Sequence, residues 1–103
     1  MKTPSEGAGS PLLYLVWFDG LPPDERPALA WAGDAHPLAD HLWLVRSSLT
    51  RSRLYHATKR QLPAGAALLV APLDDRPEGW PKFKGMTAGA LAWLRRSGRR
   101  ALA

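Results

Sequence analysis

Hydrophobic residues along the chain gather into short blocks that are separated by turn-forming residues. The first block, LLYLVWFD from Leu12 to Asp19, is apolar at both alternating sets of positions, which predicts a central strand covered on both faces. Asp19-Gly20 ends it. Four prolines occur between residues 20 and 40, so we predict no long helix there and at most a helical turn over residues 26–32.

Residues 35–73 predict two more strands with a helix between them. A short extended segment over residues 35–40 leads by a tight turn into LWLVR, residues 42–46. Thr50 is a good N-cap, and Leu49 and Leu54 have the spacing of a hydrophobic staple. The helix is predicted over residues 51–62, before Pro63 and Gly65, and residues 66–71 predict another buried strand.

The two faces of this predicted helix differ in character. The inner face is small and moderately apolar, made of Leu54, Ala57, Thr58, Gln61 and Leu62. The outer face carries Ser52, His56, Lys59 and Arg60, with Arg53 and Tyr55 at its flanks. Such a helix is suited to lie on a sheet with its basic side in water.

The C-terminal part predicts a loop over residues 73–81, a short edge strand over residues 82–84 and a last helix over residues 88–96. Thr87 is expected to cap that helix and Gly98 to stop it, with Leu91, Trp93 and Leu94 turned inward. We therefore expect a disordered tail over residues 1–11, a single domain over residues 12–97 and a frayed basic tail over residues 98–103.

Composition narrows the class of protein. At 103 residues the chain makes one domain, and the absence of cysteine excludes disulfides and thiolate zinc sites, as is typical of a cytoplasmic protein. The longest apolar run, Leu12–Phe18, is far shorter than the roughly 20 residues that cross a bilayer, so no membrane association is expected.

Charge is divided unevenly along the chain. The total is +5, but residues 1–40 carry a net −4 and residues 41–103 a net +9. A basic half of this kind suits a polyanion such as nucleic acid, and the alternative is a solubilising surface.

Three segments together suggest a family. LLYLVWFD (12–19), DHLWLVRSSLTRSRL (40–54) and AALLVAPL (66–73) give an opening strand that ends in Asp, a strand that runs into a capped helix, and a closing strand. In this pattern the chain resembles the ferredoxin-like group that includes the small subunit of the CRISPR spacer-integration complex and its stand-alone bacterial relatives. The resemblance covers residues 12–73 and rests on hydrophobicity and capping.

The resemblance implies an α+β fold, a ferredoxin-like split β-α-β sandwich with an all-antiparallel sheet and strand 12–19 between strands 42–46 and 66–71. This chain departs from the family by a shortened first helix and an extra C-terminal helix. The C-terminal helix or a second subunit is expected to cover the strip of sheet that the first helix leaves open. A second departure is the basic first turn, Arg51 and Arg53, where the stand-alone relatives tend to be acidic.

Asp19 is the catalytic position that the resemblance nominates. Two such aspartates across a homodimer hold Mg²⁺ for phosphodiester cleavage, because hard oxygen ligands suit that ion. The alternative is that Asp19-Gly20 only makes a turn. A second cluster, DAHPLADH, brings His36 and His41 close to acidic residues; it predicts either a metal site or, with more support, polar turn residues.

The basic residues give the clearest binding prediction. Arg51 and Arg53 stand at the positive end of the predicted helix, where each costs about 0.3–1 kcal/mol at low salt unless an anion binds there. The predicted nucleic-acid contacts are Arg46, Arg51, Arg53, Lys59, Arg60, Lys82 and Lys84. Trp80, beside the two lysines, is the tryptophan that we consider for base stacking.

Two hypotheses follow from the sequence. The first is a small nucleic-acid-binding protein that acts as a homodimer and has weak metal-dependent nuclease activity. The second is a non-enzymatic protein-interaction module, such as an inhibitor, an antitoxin-like protein or an accessory subunit. No Ser-His-Asp order, phosphate-binding glycine loop or paired-carboxylate spacing supports a classical hydrolase, NTPase or glycosidase.

Overall fold

Four strands form one antiparallel sheet with a helix on each face. The computed structural model describes residues 11–20 and 29–102. In these residues the strands are β1 (Leu12–Asp19), β2 (Asp34–Ala39), β3 (Leu42–Ser47) and β4 (Ala67–Leu73), and the helices are α1 (Arg51–Lys59) and α2 (Ala90–Leu102), with a short 3₁₀ turn at Pro77–Gly79. The strand order is β2-β3-β1-β4.

The central position of β1 agrees with its sequence. β1 pairs antiparallel with β3 on one edge and with β4 on the other, and Leu13 on one of its faces and Tyr14 on the other are buried. The α+β architecture, the antiparallel sheet and the β3-α1-β4 unit around β1 are compatible with a ferredoxin-like split β-α-β fold, as predicted.

The two helices lie on opposite faces of the sheet. Successive strand residues point to opposite sides. Tyr14 accordingly packs with Leu54 of α1, whereas Leu13 packs with Trp93 and Leu94 of α2. We call these sides the α1 face and the α2 face. The expectation that the C-terminal helix covers the strip beside α1 is therefore wrong.

The segment before β2 covers that strip in part. The rings of Trp31 and Trp43 lie 5.4 Å apart, and both pack against the core on the α1 face. Gln61, just past α1, ties this segment down: its Oε1 accepts from the Ala30 backbone N–H (2.7 Å), and its Nε2 donates to the Ala30 carbonyl (3.0 Å). Of the helical turn predicted over residues 26–32, residues 26–28 lie outside the described residues, and residues 29–32 are irregular.

Helix α1 ends earlier than predicted. It stops at Lys59, and the N–H groups of Gln61 and Leu62 reach back three residues, to the carbonyls of Thr58 and Lys59. This tighter turn closes the helix before Pro63, because proline disfavours helical geometry in the residue that precedes it.

β4 is an edge strand rather than a buried one. It runs from Ala67 to Leu73, and none of its residues is fully buried. Its inner neighbour is β1, so only one of its edges is paired. The predicted strand over residues 82–84 is also wrong, since that segment is irregular.

The start and the end of the last helix differ from prediction. Thr87 does not cap it; its hydroxyl donates to the Pro37 carbonyl and its N–H donates to the Leu38 carbonyl (3.0 Å), which fastens the chain to β2.

The helix begins at Ala90 and continues to Leu102, so Gly98 does not end it. Gly costs about 1 kcal/mol in a helix, and the good helix formers around it offset that cost. Trp93 and Leu94 are buried as predicted, but Leu91 is exposed.

Two of the predicted tail segments fall largely outside what the structure describes. Residues 1–10 of the predicted N-terminal tail are not among the described residues, and neither is residue 103. The backbone of residues 98–102 belongs to α2.

Candidate nucleic-acid interface

Helix α1 and its C-cap carry five exposed basic side chains: Arg51, Arg53, His56, Lys59 and Arg60. No acidic residue lies among them. We call these five residues the α1 basic face. By helical spacing, His56, Lys59 and Arg60 lie opposite the buried Leu54 and Thr58. Arg53 lies at the flank, and Arg51 lies in the exposed first turn, nearer to the buried side.

Packing and capping explain why these side chains point outward. Leu54 and Thr58 are buried against the sheet, so residues on the opposite side of a 3.6-residue helix face water. The helix starts where predicted, because the Thr50 hydroxyl oxygen accepts from the Arg53 backbone N–H at 3.3 Å. This bond fixes the backbone of Arg53 in the first turn.

Within the described residues, carboxylates do not neutralise the charges of the α1 basic face. Among the residues that the structure describes, no carboxylate forms an ion pair with Arg51, Arg53, Lys59 or Arg60. The Lys59 ammonium lies 5.9 Å from the centre of the Tyr55 ring, which is a weak contact at an exposed site. The helix dipole adds positive potential at Arg51 and Arg53.

The buried phenol of Tyr14 lies close enough to Arg51 for the arginine's charge to affect its pKa. Its hydroxyl donates to the Leu49 carbonyl at 2.9 Å, in the turn that leads into α1. Burial raises the pKa of Tyr14, and the positive charge of Arg51 acts in the opposite direction, by favouring the phenolate. The phenol therefore stays neutral at pH 7 and places no compensating negative charge beneath Arg51.

Arg46 does not belong to this surface, which corrects one predicted contact. Its side chain is 3% exposed and points to the α2 face, whereas the preceding residue of β3, Val45, points to the α1 face. Its Nε and Nη2 donate to the two carboxylate oxygens of Asp75 at 2.7 and 2.6 Å, and Nη2 also donates to the Leu94 carbonyl at 3.1 Å. The guanidinium lies 4.8 Å from the centre of the Trp93 ring. A guanidinium so enclosed cannot reach a phosphate.

Asp75 completes a structural ion pair that sequence reasoning missed. The Arg46 hydrogen bonds hold the pKa of Asp75 below its ordinary value, burial opposes that effect, and the hydrogen bond from Trp80 Nε1 (2.8 Å) adds to the lowering. Trp80 is therefore engaged in this pair and in the core of the α2 face, which argues against base stacking. The only signal in the sequence was a lone arginine inside an apolar strand.

Lys82 and Lys84 are exposed but belong to another part of the surface. They flank Phe83, which packs into the core on the α2 face. The structure thus divides the predicted contacts: Arg51, Arg53, Lys59 and Arg60 lie together on α1, and the two lysines lie on a segment that packs against the opposite face of the sheet.

Asp19 lies at the end of β1 as predicted, with its side chain exposed. Its Oδ1 accepts from the Gly20 N–H at 2.8 Å, and Gly20 adopts φ +96°. The residues that would complete the predicted turn lie outside the described residues. His41 Nδ1 is 3.8 Å from the same oxygen. Within residues 11–20 and 29–102, no three His, Asp or Glu side chains converge in a way that could hold a metal ion. The described side chains around Asp19 therefore do not by themselves form a Mg²⁺ site.

The two histidines of the DAHPLADH cluster separate in the structure. The His36 ring stacks on Trp93 with ring centres 6.0 Å apart, on the α2 face. The His41 ring instead contacts Phe18 at 5.4 Å, near Asp19. This separation supports the interpretation of the cluster as turn and packing residues.

Comparisons with family models, with curated proteins and with solved structures found no match for this chain. In the described part of the chain, no helix is long and apolar enough to cross a membrane.

Proposed function

We propose that this protein binds nucleic acid through the α1 basic face. The observation that carries the proposal is the run from Arg51 to Arg60, in which the basic side chains are exposed and have no carboxylate ion-pair partner among the described residues. Clustered Lys and Arg side chains release the counterions condensed on a phosphate backbone, and this release drives binding with little sequence preference.

Placement at a helix start strengthens the contribution of Arg51 and Arg53. The first turn of α1 contains no acidic residue, so the positive end of the helix and both guanidiniums act on the same region of solvent. A phosphate there would receive the planar donor fork of an arginine as well as the field of the helix.

Neutralising this pair tests the proposal. We expect Arg51→Ala/Arg53→Ala to weaken binding to short RNA and DNA duplexes about tenfold or more at low salt, because two phosphate contacts are lost. The slope of log K against log salt should fall by about 0.9 for each lost contact. Fluorescence anisotropy of labelled duplexes at several salt concentrations measures both quantities.

Lys82→Ala/Lys84→Ala is the matched control, because it removes the same charge from two exposed residues on a different segment. We expect its affinity to stay within about threefold of the wild type, because the variant removes only a long-range attraction that salt screens. The proposal fails if the wild type does not bind at low salt. It also fails if the control variant loses as much affinity as the arginine variant.

Nuclease activity is a separate extension of this proposal. Asp19 is exposed and supplies one carboxylate, whereas a Mg²⁺ site needs further oxygen ligands. The described residues of one copy do not bring such ligands to Asp19, so we derive no cleavage step.

A protein-interaction module is the second candidate, and one observation favours it. Trp17 and Leu69, paired across β1 and β4 on the α2 face, are 38% and 50% exposed. Exposed apolar neighbours of this kind mark contact surfaces. Purification from the native host distinguishes the candidates: a stoichiometric protein partner that Leu69→Lys releases would favour the module.

A further inference from the structure

The two edges of the sheet are built differently. The outer edge of β2 contains Pro37 and a register shift between Pro37 and Ala39, and Thr87 occupies the carbonyls of Pro37 and Leu38. Proline, irregular register and coverage by another segment are the means by which proteins prevent an edge strand from pairing with another chain. The β2 edge is therefore protected.

The outer edge of β4 lacks these protections over most of its length. β4 reads ALLVAPL and pairs with β1 in regular register over all seven of its residues, from Ala67 to Leu73. Pro72, near one end, is the only residue of β4 that lacks an N–H donor. Within residues 11–20 and 29–102, no hydrogen bond from another element covers the outer side of β4. The free N–H and C=O groups of this edge can therefore pair with one more strand.

One side of α1 faces this open edge. The helix packs on β1 and β4 through Leu54. Gln61, just past the helix, is hydrogen-bonded to Ala30 on the β3 side of α1. At 3.6 residues per turn, Arg51 and Lys59 lie on the other side of the helix, which faces the outer edge of β4.

The surroundings of Arg51 agree with this placement. Burial raises the pKa of Tyr14 and the charge of Arg51 opposes that effect, so the arginine lies near Tyr14 in β1, whose partner in β4 is Pro72. Arg51 and Lys59 are exposed and have no carboxylate ion-pair partner among the described residues. The α1 side of the β4 edge is therefore positively charged at two points about 12 Å apart, the rise of eight helical residues.

An apolar row reaches the same edge on the α2 face. Leu42 of β3, Trp17 of β1 and Leu69 of β4 are direct neighbours across three strands. The row becomes more exposed toward the edge, from half-buried Leu42 to Leu69, which is 50% exposed. A strand beside β4 would bury Leu69 and continue the row with its own apolar side chains.

We propose that the β4 edge binds an extended segment of another protein in which acidic and apolar residues alternate. Successive side chains of a strand point to opposite faces of its sheet. One set of side chains in the bound segment meets Arg51 and Lys59, which favour carboxylates, and the other set lies beside Leu69, which favours apolar groups. The main chain of the segment pairs with β4 by strand addition.

This chemistry distinguishes the partner from a second copy of the chain. β4 contains no acidic residue, and each copy carries a net charge of +5, so two copies would bring like charges together at this edge. The same charge attracts an acidic segment. The proposal rests on the protein-interaction candidate described above and does not depend on nucleic-acid binding.

Synthetic peptides test this chemistry on the full chain. The probe is a labelled, end-capped peptide as long as β4, Glu-Val-Glu-Val-Glu-Val-Glu. One control peptide replaces every Glu with Lys, and another keeps the composition but groups Glu and Val in two blocks. We expect the alternating acidic peptide to bind about tenfold or more tightly than either control in fluorescence anisotropy, because only this peptide presents carboxylates to one face and apolar groups to the other.

Paired variants of α1 locate the bound peptide. Arg51→Ala/Lys59→Ala should weaken peptide binding about fivefold or more at low salt, because two ion pairs are lost. Arg53→Ala/Arg60→Ala is the matched control, since it removes the same charge from the side of α1 that faces away from β4. Its affinity should stay within about twofold of the wild type, because only a screened, long-range attraction is lost. Circular dichroism establishes that each variant is folded.

Hydrogen exchange measured by NMR supplies a readout that needs no variant. Peptide binding should slow exchange at alternate amides of β4, those that point away from β1. Leu69→Ser should weaken peptide binding, whereas Leu91→Ser should not, because Leu91 is exposed on α2, away from β4.

The proposal is overturned if the alternating acidic peptide does not bind, if either control peptide binds as tightly, or if both α1 variants lose the same affinity. Unchanged exchange at the β4 amides would also overturn it. A wild type that light scattering shows to be a dimer, with these amides protected before peptide is added, would assign the edge to a second copy. A protein partner from the native host that Leu69→Lys releases, but that contains no alternating acidic segment, would support the protein-interaction function and overturn this partner chemistry.

Discussion

Arg46 shows how one strand position decides the role of a charged residue. Val45 packs on the α1 face, and Arg46, the next residue, points to the α2 face, where Asp75 meets it. Burying a guanidinium is costly unless it is paired and hydrogen-bonded. Here both carboxylate oxygens of Asp75 and the Leu94 carbonyl accept from it, and the Trp93 ring lies against it. The pair links β3, the loop after β4 and α2.

Removing the carboxylate should therefore destabilise the fold. We expect Asp75→Asn to lower the free energy of unfolding by about 2–3 kcal/mol at pH 7, because it leaves Arg46 buried without its counter-charge. Chemical denaturation measures the change. Asp74→Asn is the matched control; the Asp74–Arg76 pair is exposed, so the control should change stability little.

The same pair predicts a pH dependence with a definite sign. The pKa of Asp75 is lower in the folded chain than in the unfolded chain, so the stabilisation is present above the ordinary carboxyl pKa of about 4. It is lost as the pH falls through the lower, folded value. The stability difference between wild type and Asp75→Asn should accordingly shrink toward low pH. A difference that stays constant down to pH 2 would contradict this assignment.

At the scale of the element, α1 combines good capping with unfavourable charge placement. Thr50 caps its start, Leu54 and Thr58 anchor it to the sheet, and Lys59 lies in its last turn, where a cation is favourable. Arg51 and Arg53 lie at the wrong end for helix stability. A binding role accounts for this cost, because the same placement concentrates positive potential where a phosphate would bind.

Charge reversal should separate binding from stability. We expect Arg51→Glu/Arg53→Glu to raise the free energy of unfolding by about 0.3–1 kcal/mol per residue at low salt, because each glutamate suits the helix N-terminus. The same variant should lose affinity for nucleic acid. Lys59→Glu, at the other end of α1, should lower stability by a similar amount. If Arg51→Glu/Arg53→Glu instead destabilises the fold, the two arginines serve a structural role.

At the scale of the whole molecule, the sheet is a partition between two kinds of surface. The α1 face carries the basic helix, and the α2 face carries α2, the Arg46–Asp75 pair and an apolar row that α2 leaves partly exposed. The basic surface and the partly exposed apolar surface therefore lie on opposite sides of the sheet.

The sequence by itself determined the elements whose signals are local. β1 was predicted with its observed bounds because both alternating sets of positions are apolar, and α1 was predicted to start after Thr50 because capping depends on neighbouring residues. The basic outer face of α1 followed from helical spacing alone. The antiparallel sheet with β1 at its centre came from the resemblance together with this pattern.

Only the tertiary structure decided the features that depend on distant residues. Arg46 is hydrogen-bonded to Asp75, 29 residues away in the sequence, and Thr87 to Pro37, 50 residues away. A periodic pattern of residues does not predict such contacts. The face that α2 covers, the edge position of β4 and the exposure of Leu69 likewise depend on how the elements pack. The hydrophobic pattern predicts which residues prefer burial. Which partner buries each of them, and which of them stay exposed, depends on how the elements of the sheet assemble.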